Sequence, residues 1–268
     1  MISNDTDTLT DQYTAGQLHM NNQFCIIIPC YNHSMLLQPL MEKLISFNLP
    51  IIIINDGSDT HNASLLEKIA TDFKIHLVHH SQNQGKGMAM ITGFQKAYEL
   101  GFSHGIQLDA DGQHNMDDVP KFVTFSQENP ATLISGVPIY DDSIPKGRLY
   151  SRYITHFWVW IETLSFTIKD SMCGFRVYPL KEVVSLIRTN HIGRYMDFDT
   201  EIMVKLYWQG MNVLFIPTEV IYPEKGISHF RMVKDNILIS WMHTRLVFGM
   251  IVRLPKLLWR KCCDHSKK

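Results

Sequence analysis

The stretch GIQLDADGQH, residues 105–114, ends a short apolar run with two aspartates that are separated by one alanine. Two carboxylates this close repel each other and lose hydration as a site closes, so the pair is costly unless a positive charge lies between them. A divalent metal that carries a phosphate would supply that charge. Because Asp and Gly also favour turns, an ordinary connection from a strand to a loop is the alternative.

The position of this run in the chain favours the metal interpretation, because it is the fourth in a series of short apolar runs. Continuous apolar runs are typical of strands that are buried on both faces of a parallel sheet. The segments between them space apolar residues three and four apart, as helices that cover a sheet do. We therefore predict an α/β fold with a Rossmann-like, mostly parallel sheet flanked by helices. The predicted strands are 24–29, 51–54, 75–78, 105–108, 132–137 and 212–217, and the predicted helices include 35–47, 87–100, 148–166 and 196–210.

Ligands of an open parallel sheet bind beyond the carboxyl ends of its strands, where this sequence is unusually polar. Asp56, after the second run, could accept a hydrogen bond from a base or a ribose, or it could only form a tight turn before a helix. Lys86 in NQGKGMA could approach an anion, although the stretch lacks the GxxxxGK[ST] spacing of a P-loop. The other polar candidates at these ends are Pro29, Tyr31 and Asn32 after the first run and Asp109, Asp111, Gln113 and His114 after the fourth.

Charged candidates also occur later in the chain. Asp197 and Glu201 lie four residues apart in RYMDFDTEI, with Asp199 between them, and an acid here could be a general base or only a partner of the helix dipole. Arg176 in CGFRVY could clamp a phosphate or form a structural ion pair. Cys173 is more consistent with a small buried thiol than with a nucleophile, because the sequence places no His to activate it.

Charge is distributed unevenly along the chain. The formal net charge is −1, but residues 231–268 contain nine Lys or Arg and two Asp, which leaves −8 for the rest. These cations alternate with Trp, Phe, Met and Leu. Because Arg245, Arg253 and Lys256 interrupt the apolar residues, we expect an amphipathic helix that lies on a bilayer rather than one that crosses it. Packing of its apolar side on the rest of the protein is the alternative.

Three regions are expected from these patterns. Residues 1–22 have neither a basic start nor an apolar core of the kind that signal peptides have, and we expect a flexible tail. Residues 23–226 form the α/β domain, and residues 227–268 form the basic amphipathic segment. The five cysteines are an odd set without paired metal-type spacing, which favours a reducing, cytoplasmic compartment over a disulfide framework or a zinc site.

Six motifs occur in the order IIIPCYNH, IIINDGSD, NQGKGMAMITGFQKA, QLDADGQH, DSMCGFRVY and FDTEI, between residues 24 and 222. In this order they resemble family 2 glycosyltransferases of the GT-A fold, and most closely the dolichol-phosphate mannosyltransferase-like branch. The resemblance implies an inverting transfer of a sugar from a nucleoside diphosphate sugar with a divalent metal, Mg²⁺ or Mn²⁺. It differs from the family pattern at Asn55, where an acid is usual.

The resemblance also implies roles for individual residues. Asp109 and Asp111 would hold the metal and the diphosphate with help from Gln113, and Asp56 would recognise the base. Glu201 or Asp199 would be the catalytic base, unless an anionic lipid phosphate acceptor needs none. The implied nucleotide-sugar site is Pro29, Tyr31, Asn32, Asp56, Lys86, Asp109, Gln113 and Arg176; the implied metal ligands are Asp109, Asp111 and Gln113; and the implied catalytic residues are Glu201, Asp199 and Asp111.

The function expected from these observations is sugar transfer to a lipid or lipid-linked acceptor at the cytoplasmic face of a membrane, with peripheral contact through residues 231–261. The alternative is a noncatalytic module that binds a nucleotide sugar and recruits partners to a membrane. A nucleotidyltransferase is disfavoured because PCYNHSM lacks a glycine-rich loop with Lys or Arg. The acidic balance of residues 1–230 disfavours nucleic acid as a partner.

Overall fold

A computed structural model describes residues 24–139, 146–220 and 231–265. Seven strands in these ranges form one sheet in the order β3-β2-β1-β4-β6-β5-β7. The strands are β1 (Phe24–Cys30), β2 (Ile51–Asn55), β3 (His76–His79), β4 (His104–Gln107), β5 (Thr132–Ile139), β6 (Arg176–Pro179) and β7 (Asn212–Glu219). The helices are α1 (Ser34–Leu44), α2 (Thr60–Phe73), α3 (Lys86–Glu99), α4 (Val119–Glu128), α5 (Lys146–Thr163), α6 (Leu180–Thr189), α7 (Phe198–Gln209) and α8 (Met232–His265), with short 3₁₀ turns at Ile45–Phe47 and Met116–Asp118.

The predicted mixed α/β class is confirmed. Strand β1 pairs in parallel with β2 and β4, β2 pairs in parallel with β3, and β5 pairs in parallel with β7. Strand β6 is antiparallel to both β4 and β5. The sequence analysis did not predict β6, because its residues RVYP begin with an arginine and end in proline and so do not form a continuous apolar run.

Both faces of the sheet are covered. Alternate residues of β1 point to opposite sides: Cys25 and Ile27 pack with α3, α6, α7 and α8, whereas Ile26 and Ile28 pack with α1, α2 and α4. This two-sided burial explains why the strands read as continuous apolar runs. The carboxyl ends of β1, β2 and β4 consequently open at one edge, between the two helical layers.

Helix α8 packs along α5 and α7. Its inward side carries Met242, Leu246, Met250 and Leu257, which join the hydrophobic core. Three of its arginines also point inward: Arg245 pairs with Glu201, Arg253 lies over the ring of Trp208, and Arg260 donates to the carbonyl oxygen of Tyr207. The alternative that this segment packs on the rest of the protein therefore holds for one of its sides.

The outward side of α8 remains apolar. Ile237, Trp241, Phe248, Val252 and Trp259 are each at least 58% exposed. By length and composition Met232–Cys263 could also cross a membrane, with a mean hydropathy of 1.4 in an 18-residue window of which 22% is buried. The expectation that this helix lies on a bilayer rather than crossing it therefore stays a prediction.

The expected tail, residues 1–22, and the expected boundary at residue 226 lie outside the described residues. That division of the chain stays a prediction. Within the described ranges, α8 shares one hydrophobic core with α3, α5, α6 and α7, so its inward side belongs to the same packed unit as the sheet.

Candidate active site

A cleft of about 2190 Å³ opens at the carboxyl ends of β1, β2 and β4. Its floor contains Asp56, Lys86, Asp109 and Asp111, and it continues as a groove between α5 and α8. The groove is lined by apolar side chains, which include Trp158, Ile239, Val247 and Phe248, and by polar ones, which include Thr155, Ser240 and His243. The cleft therefore joins a charged floor to a long groove that has both apolar and polar walls.

The charged floor is organised around Lys86. The ammonium nitrogen of Lys86 lies 2.8 Å from Oδ1 of Asp109, 3.1 Å from Oδ2 of Asp109 and 2.9 Å from Oδ2 of Asp199. Gln107 donates from Nε2 to the other oxygen of Asp199 at 2.8 Å. Burial opposes the charged form of Lys86, but the two carboxylates outweigh it and raise the pKa of this lysine. The lysine is thus a fixed positive charge at neutral pH.

The two acids of the DAD motif differ in their electrostatics. Burial disfavours an ionised Asp109, yet Lys86 and His114 outweigh that cost and lower the pKa of Asp109. Burial and then the charge of Asp109 raise the pKa of Asp111. Among the described residues, no Lys or Arg forms an ion pair with Asp111. One carboxylate of the motif is therefore neutralised within the chain and the other is not.

This donor set fits a divalent cation that is shared with a diphosphate. Within the described ranges, no group of three or more His, Cys, Asp or Glu has the geometry to hold a metal by itself. Mg²⁺ and Mn²⁺ bind hard oxygen ligands, and Mg²⁺ is usually held by one or two carboxylates together with substrate phosphates and water. Asp111 supplies an uncompensated carboxylate, Asp109 lies beside it, and Gln113 lines the same cleft.

Close packing fixes the position of Asp109. A Cβ atom added at Gly174 would lie 2.3 Å from Oδ2 of Asp109, so only glycine fits beside this carboxylate. Gly174 immediately precedes the segment that leads into β6, within CGFRVY. The sequence analysis proposed a phosphate clamp within CGFRVY. In the structure, Gly174 of this motif packs against the carboxylate of Asp109.

Asp56 anchors the loop before α3. Its carboxylate accepts hydrogen bonds from the backbone N–H groups of Gln84 and Gly85 at 2.9 and 2.8 Å and from Nδ2 of Asn83 at 3.0 Å. His80 places its Nδ1 2.7 Å from the same carboxylate. The backbone N–H groups of Gln84 and Gly85 in NQGKGMA are thus already used by Asp56. Recognition of a base by Asp56, which also lines the cleft, stays a prediction.

The residues after β1 separate into two groups. Pro29 and Tyr31 line the cleft. Asn32 does not line it; its side chain accepts from the backbone N–H of Asp59 at 2.9 Å and its own N–H donates to Ser58 at 3.0 Å. Asn32 has φ +54°, a left-handed conformation that Asn tolerates better than most residues. The structure gives Asn32 the role of holding the turn that follows β2.

Arg176 was assigned to the diphosphate by resemblance, and the structure corrects this assignment. Its side chain is fully buried and does not line the cleft. Its guanidinium donates to the backbone carbonyls of Asp199 and Ser171, each at 2.7 Å, and to the hydroxyl of Tyr178 at 3.0 Å. A buried arginine with this many partners has a structural role, and here it holds the first turn of α7 against β6.

Glu201 was assigned as a catalytic base, and its environment contradicts that role. The side chain is fully buried and does not line the cleft. Its carboxylate lies 2.7 Å from the ammonium of Lys205 and 3.1 Å from Arg245, and it accepts from the backbone N–H of Gly193 at 2.7 Å. Asp199 is also buried and does not line the cleft, but it contacts Lys86 of the charged floor, so it is the acid of this motif that is connected to the site.

Several site residues were not assigned a role from the sequence. His114 lines the cleft and places Nε2 3.6 Å from Asp109. Gln107 orients Asp199, and His80 links Asp56 to the hydroxyl of Thr92 on α3 at 2.9 Å. The alternation of β4 could have indicated Gln107, because a fully buried glutamine in an apolar strand requires a polar partner. Cys173 is buried and burial raises the pKa of its thiol to about 12, which agrees with a structural thiol.

Comparisons with known proteins agree with this geometry. Residues 25–184 match the family described as glycosyl transferase family 2. The chain is 24% identical over 244 residues to a UDP-N-acetylglucosamine–dolichyl-phosphate N-acetylglucosaminyltransferase of Methanococcus voltae, covering 85% of this chain and 97% of the relative. It is 28% identical over 260 residues to a dolichyl-phosphate β-glucosyltransferase of Dictyostelium discoideum, covering 88% and 77%.

A solved structure shows the same fold. It is a mannosyltransferase from Pyrobaculum calidifontis in complex with GDP-Man and Mn²⁺, with a TM-score of 0.55, 14% identity, and coverage of 86% of this chain and 64% of the other. The protein is therefore a GT-A glycosyltransferase, and the resemblance drawn from its motifs is confirmed. The chain belongs to glycosyl transferase family 2, among relatives named as dolichyl-phosphate sugar transferases.

Proposed function

We propose that this glycosyltransferase moves a sugar from a nucleoside diphosphate sugar to a polyprenyl or dolichyl phosphate at a membrane surface, with a divalent cation. The observation that carries the proposal is the shape of the cleft, which joins a floor of Lys86, Asp109 and Asp111 to a groove between α5 and α8. A diphosphate that binds together with a divalent cation suits this acidic floor, and a polyprenyl chain suits the apolar side chains of the groove. The names of the two curated relatives support the class of acceptor.

On the donor side, Asp109 and Asp111 would hold Mg²⁺ or Mn²⁺ at the diphosphate, with Gln113 beside them. The cation would supply charge stabilisation to the departing nucleoside diphosphate, which is commonly the largest contribution to such a rate. Lys86 is held in place by Asp109 and Asp199. It would stay protonated and add a second positive charge on the same side. Pro29, Tyr31 and Asp56, which also line the cleft, would contact the nucleoside.

On the acceptor side, a lipid phosphate is already anionic and needs no proton removed before it attacks the anomeric carbon. This agrees with the burial of Glu201 away from the cleft. Asp199 would then orient Lys86 and would not accept a proton from the acceptor. A single in-line displacement of this kind inverts the anomeric configuration, unlike the double displacement of retaining glycosidases.

Membrane contact would use the exposed apolar sides of α5 and α8. On α5 the exposed residues recur at helical spacing, and on α8 the exposed Lys234, Lys256 and Lys261 flank the apolar side. Lys and Arg near an anionic surface contribute about 1 kcal/mol each to attraction, and Trp enters the interface readily. We place this contact on the cytoplasmic face. The exposed apolar residues are Tyr150, Tyr153, Ile154 and Phe157 on α5, and Ile237, Trp241, Phe248, Val252 and Trp259 on α8.

The test is a transfer assay in vesicles. Purified protein is incubated with Mn²⁺ and each of a set of UDP- and GDP-sugars, in vesicles that contain either dolichyl phosphate or the unphosphorylated alcohol. We expect a glycolipid product with dolichyl phosphate only, from one nucleotide family, and its loss on chelation of the metal. Donor binding without transfer to either lipid would favour the noncatalytic module instead.

Membrane contact is tested separately by sedimentation with anionic vesicles. Replacing Trp241 and Trp259 by Ser removes exposed side chains from α8 that touch the membrane in the proposal and do not line the cleft, so the bound fraction should fall severalfold. The matched control replaces Phe125 by Ser on α4, because Phe125 is also partly exposed but lies on another helix. Equal binding by the two variants would contradict the proposed surface.

A further inference from the structure

The ion pair between Arg245 and Glu201 joins helix α8 to helix α7. Nη2 of Arg245 lies 3.1 Å from Oε2 of Glu201, and the same oxygen accepts the backbone N–H of Gly193 at 2.7 Å. Lys205 neutralises the other oxygen at 2.7 Å. A fully buried carboxylate that has two cations and a backbone donor is held in one geometry. Glu201 therefore fixes the loop before α7 at Gly193.

That loop, residues 190–197, rests directly on the first turn of α3. The backbone N–H of Met88 donates to the carbonyl of Arg194 at 3.0 Å. A Cβ added at Gly85 would lie 2.4 Å from that carbonyl oxygen, and one added at Gly87 would lie 2.6 Å from the carbonyl oxygen of Gly193. The two backbones are thus in close contact on both sides of Lys86.

Lys86 depends on the same two elements for its position. Its backbone lies under the loop, and its ammonium is held by Asp199, which lies two residues before Glu201 on α7. Arg176 holds the carbonyl of Asp199 from the sheet side, whereas Arg245 holds Glu201 from the α8 side. The first turn of α7 is therefore clamped by one arginine from each side.

We propose that Arg245 is a positioning residue for donor binding: through Glu201 and the 190–197 loop it fixes the first turn of α3, and with it the ammonium of Lys86, at the diphosphate. The inference rests on the proposed function in that a diphosphate occupies the charged floor. It gives the α8 helix a role in the donor site in addition to membrane contact.

The rest of α8 remains anchored without this ion pair. Its apolar side contributes Met242, Leu246 and Met250 to the core, and Arg260 makes a separate contact with Tyr207. Removal of Arg245 should therefore loosen the 190–197 loop while the helix stays docked. Arg260 is the matched control, because it is also an arginine of α8 that contacts α7 but lies away from the loop.

The experiment compares Arg245→Gln, Arg260→Gln and Arg245→Lys by hydrogen exchange and by kinetics. Amide exchange at residues 84–88 and 190–195 should accelerate about tenfold or more in Arg245→Gln and stay near wild type in Arg260→Gln. The Michaelis constant for the donor should rise about tenfold in Arg245→Gln with a smaller change in kcat, and Arg245→Lys should restore part of it. Thermal midpoints should fall by similar amounts in the two Gln variants.

The exchange measurement needs neither substrate nor turnover, so it separates this inference from the proposed function. Equal exchange of residues 84–88 and 190–195 in the two Gln variants would overturn the inference even if the wild-type protein transfers sugar. Accelerated exchange in Arg245→Gln only would support the positioning role even if the true acceptor is another molecule.

Discussion

Two acidic stretches of this protein look alike in sequence, but they differ in whether their carboxylates are paired with cations of the chain. DADGQ follows β4 and MDFDTE begins α7, and each places acids at short spacing beside apolar residues. In the first stretch Asp111 has no ion-pair partner among the described residues. In the second, Glu201 is neutralised by Arg245 and Lys205. The comparison teaches that an acid is available for chemistry only where the chain has not already supplied its counter-charge.

The largest effect is expected at the acid without a counter-charge. Asp111→Asn keeps the shape of the side chain but removes the charge that would hold the cation, so we expect turnover to fall by about a thousandfold or more. The measurement is the initial rate of transfer at saturating Mn²⁺. Asp117→Asn is the matched control, because Asp117 is a nearby exposed acid that forms an ion pair with Lys43 at the surface. A rate within twofold of wild type in Asp111→Asn would contradict the metal assignment.

The next effect separates the two acids of α7. Glu201→Gln leaves Arg245 and Lys205 with an uncharged partner, so we expect the free energy of unfolding to fall by about 2 kcal/mol. Asp199→Asn should cost less stability, because Lys86 keeps Asp109 as a partner, but it should lower kcat/KM by about tenfold or more. Urea unfolding and steady-state kinetics on both variants check this. A larger loss of unfolding free energy in Asp199→Asn than in Glu201→Gln would contradict this distinction between the two acids.

A pH-dependent effect follows from the raised pKa of Asp111, which burial and Asp109 cause. A carboxyl whose pKa is raised on folding favours the folded state below its unfolded pKa, and this contribution is lost as the pH rises through the folded pKa. Near pH 7 without metal, ionised Asp111 therefore destabilises the fold. Asp111→Asn should raise the metal-free thermal midpoint by about 2 °C at pH 7 and by less at pH 4.

The cation should act in the opposite sense on the wild-type protein. Added Mn²⁺ should raise the thermal midpoint at pH 7 and much less at pH 4, because protons compete for the same carboxylate. Asp109 does not reverse this trend, since its lowered pKa keeps it ionised over that range. Equal stabilisation of wild type and Asp111→Asn by Mn²⁺ would place the cation elsewhere.

The smallest effect is expected at Cys173, which lines the cleft but has a thiol pKa raised to about 12 by burial. Cys173→Ala should leave kcat within about twofold, because the neutral thiol is not a nucleophile at neutral pH. It should cost about 1 kcal/mol of stability, since Cys173 packs beside Gly136 in the core. A loss of turnover comparable to that of Asp111→Asn would show that lining the cleft, rather than charge state, decides function.

Much of the fold could be predicted from local patterns. The runs 24–29, 51–54 and 132–137 lie within observed strands, and 87–100 coincides with α3 except at its ends. Strand β6 escaped prediction because RVYP begins with an arginine and is not a continuous apolar run. The location of the motifs at strand ends was also predictable. The carboxyl ends of neighbouring parallel strands lie at the same edge of the sheet, so Asp56 and Asp109 must lie near each other there.

The partners of the charged residues could not be predicted. Arg176 and Glu201 carry strong charges in recognisable motifs, but their neighbours in space, Ser171 and Asp199 for one and Gly193 and Arg245 for the other, depend on how β6, α7 and α8 pack. The sequence analysis therefore assigned Arg176 and Glu201 to the substrate site. In the structure, neither side chain lines the cleft.

The sequence by itself determined the class of fold and the edge of the sheet where the site lies, because periodicity is local and parallel pairing brings the strand ends together; its ordered motifs indicated the family by resemblance. The tertiary structure alone decided which acids are left without a counter-charge and which side of α8 faces outward. The physical reason is that charge compensation and burial depend on distances between residues far apart in the chain, such as 44 residues between Glu201 and Arg245. These distances exist only after the elements have packed.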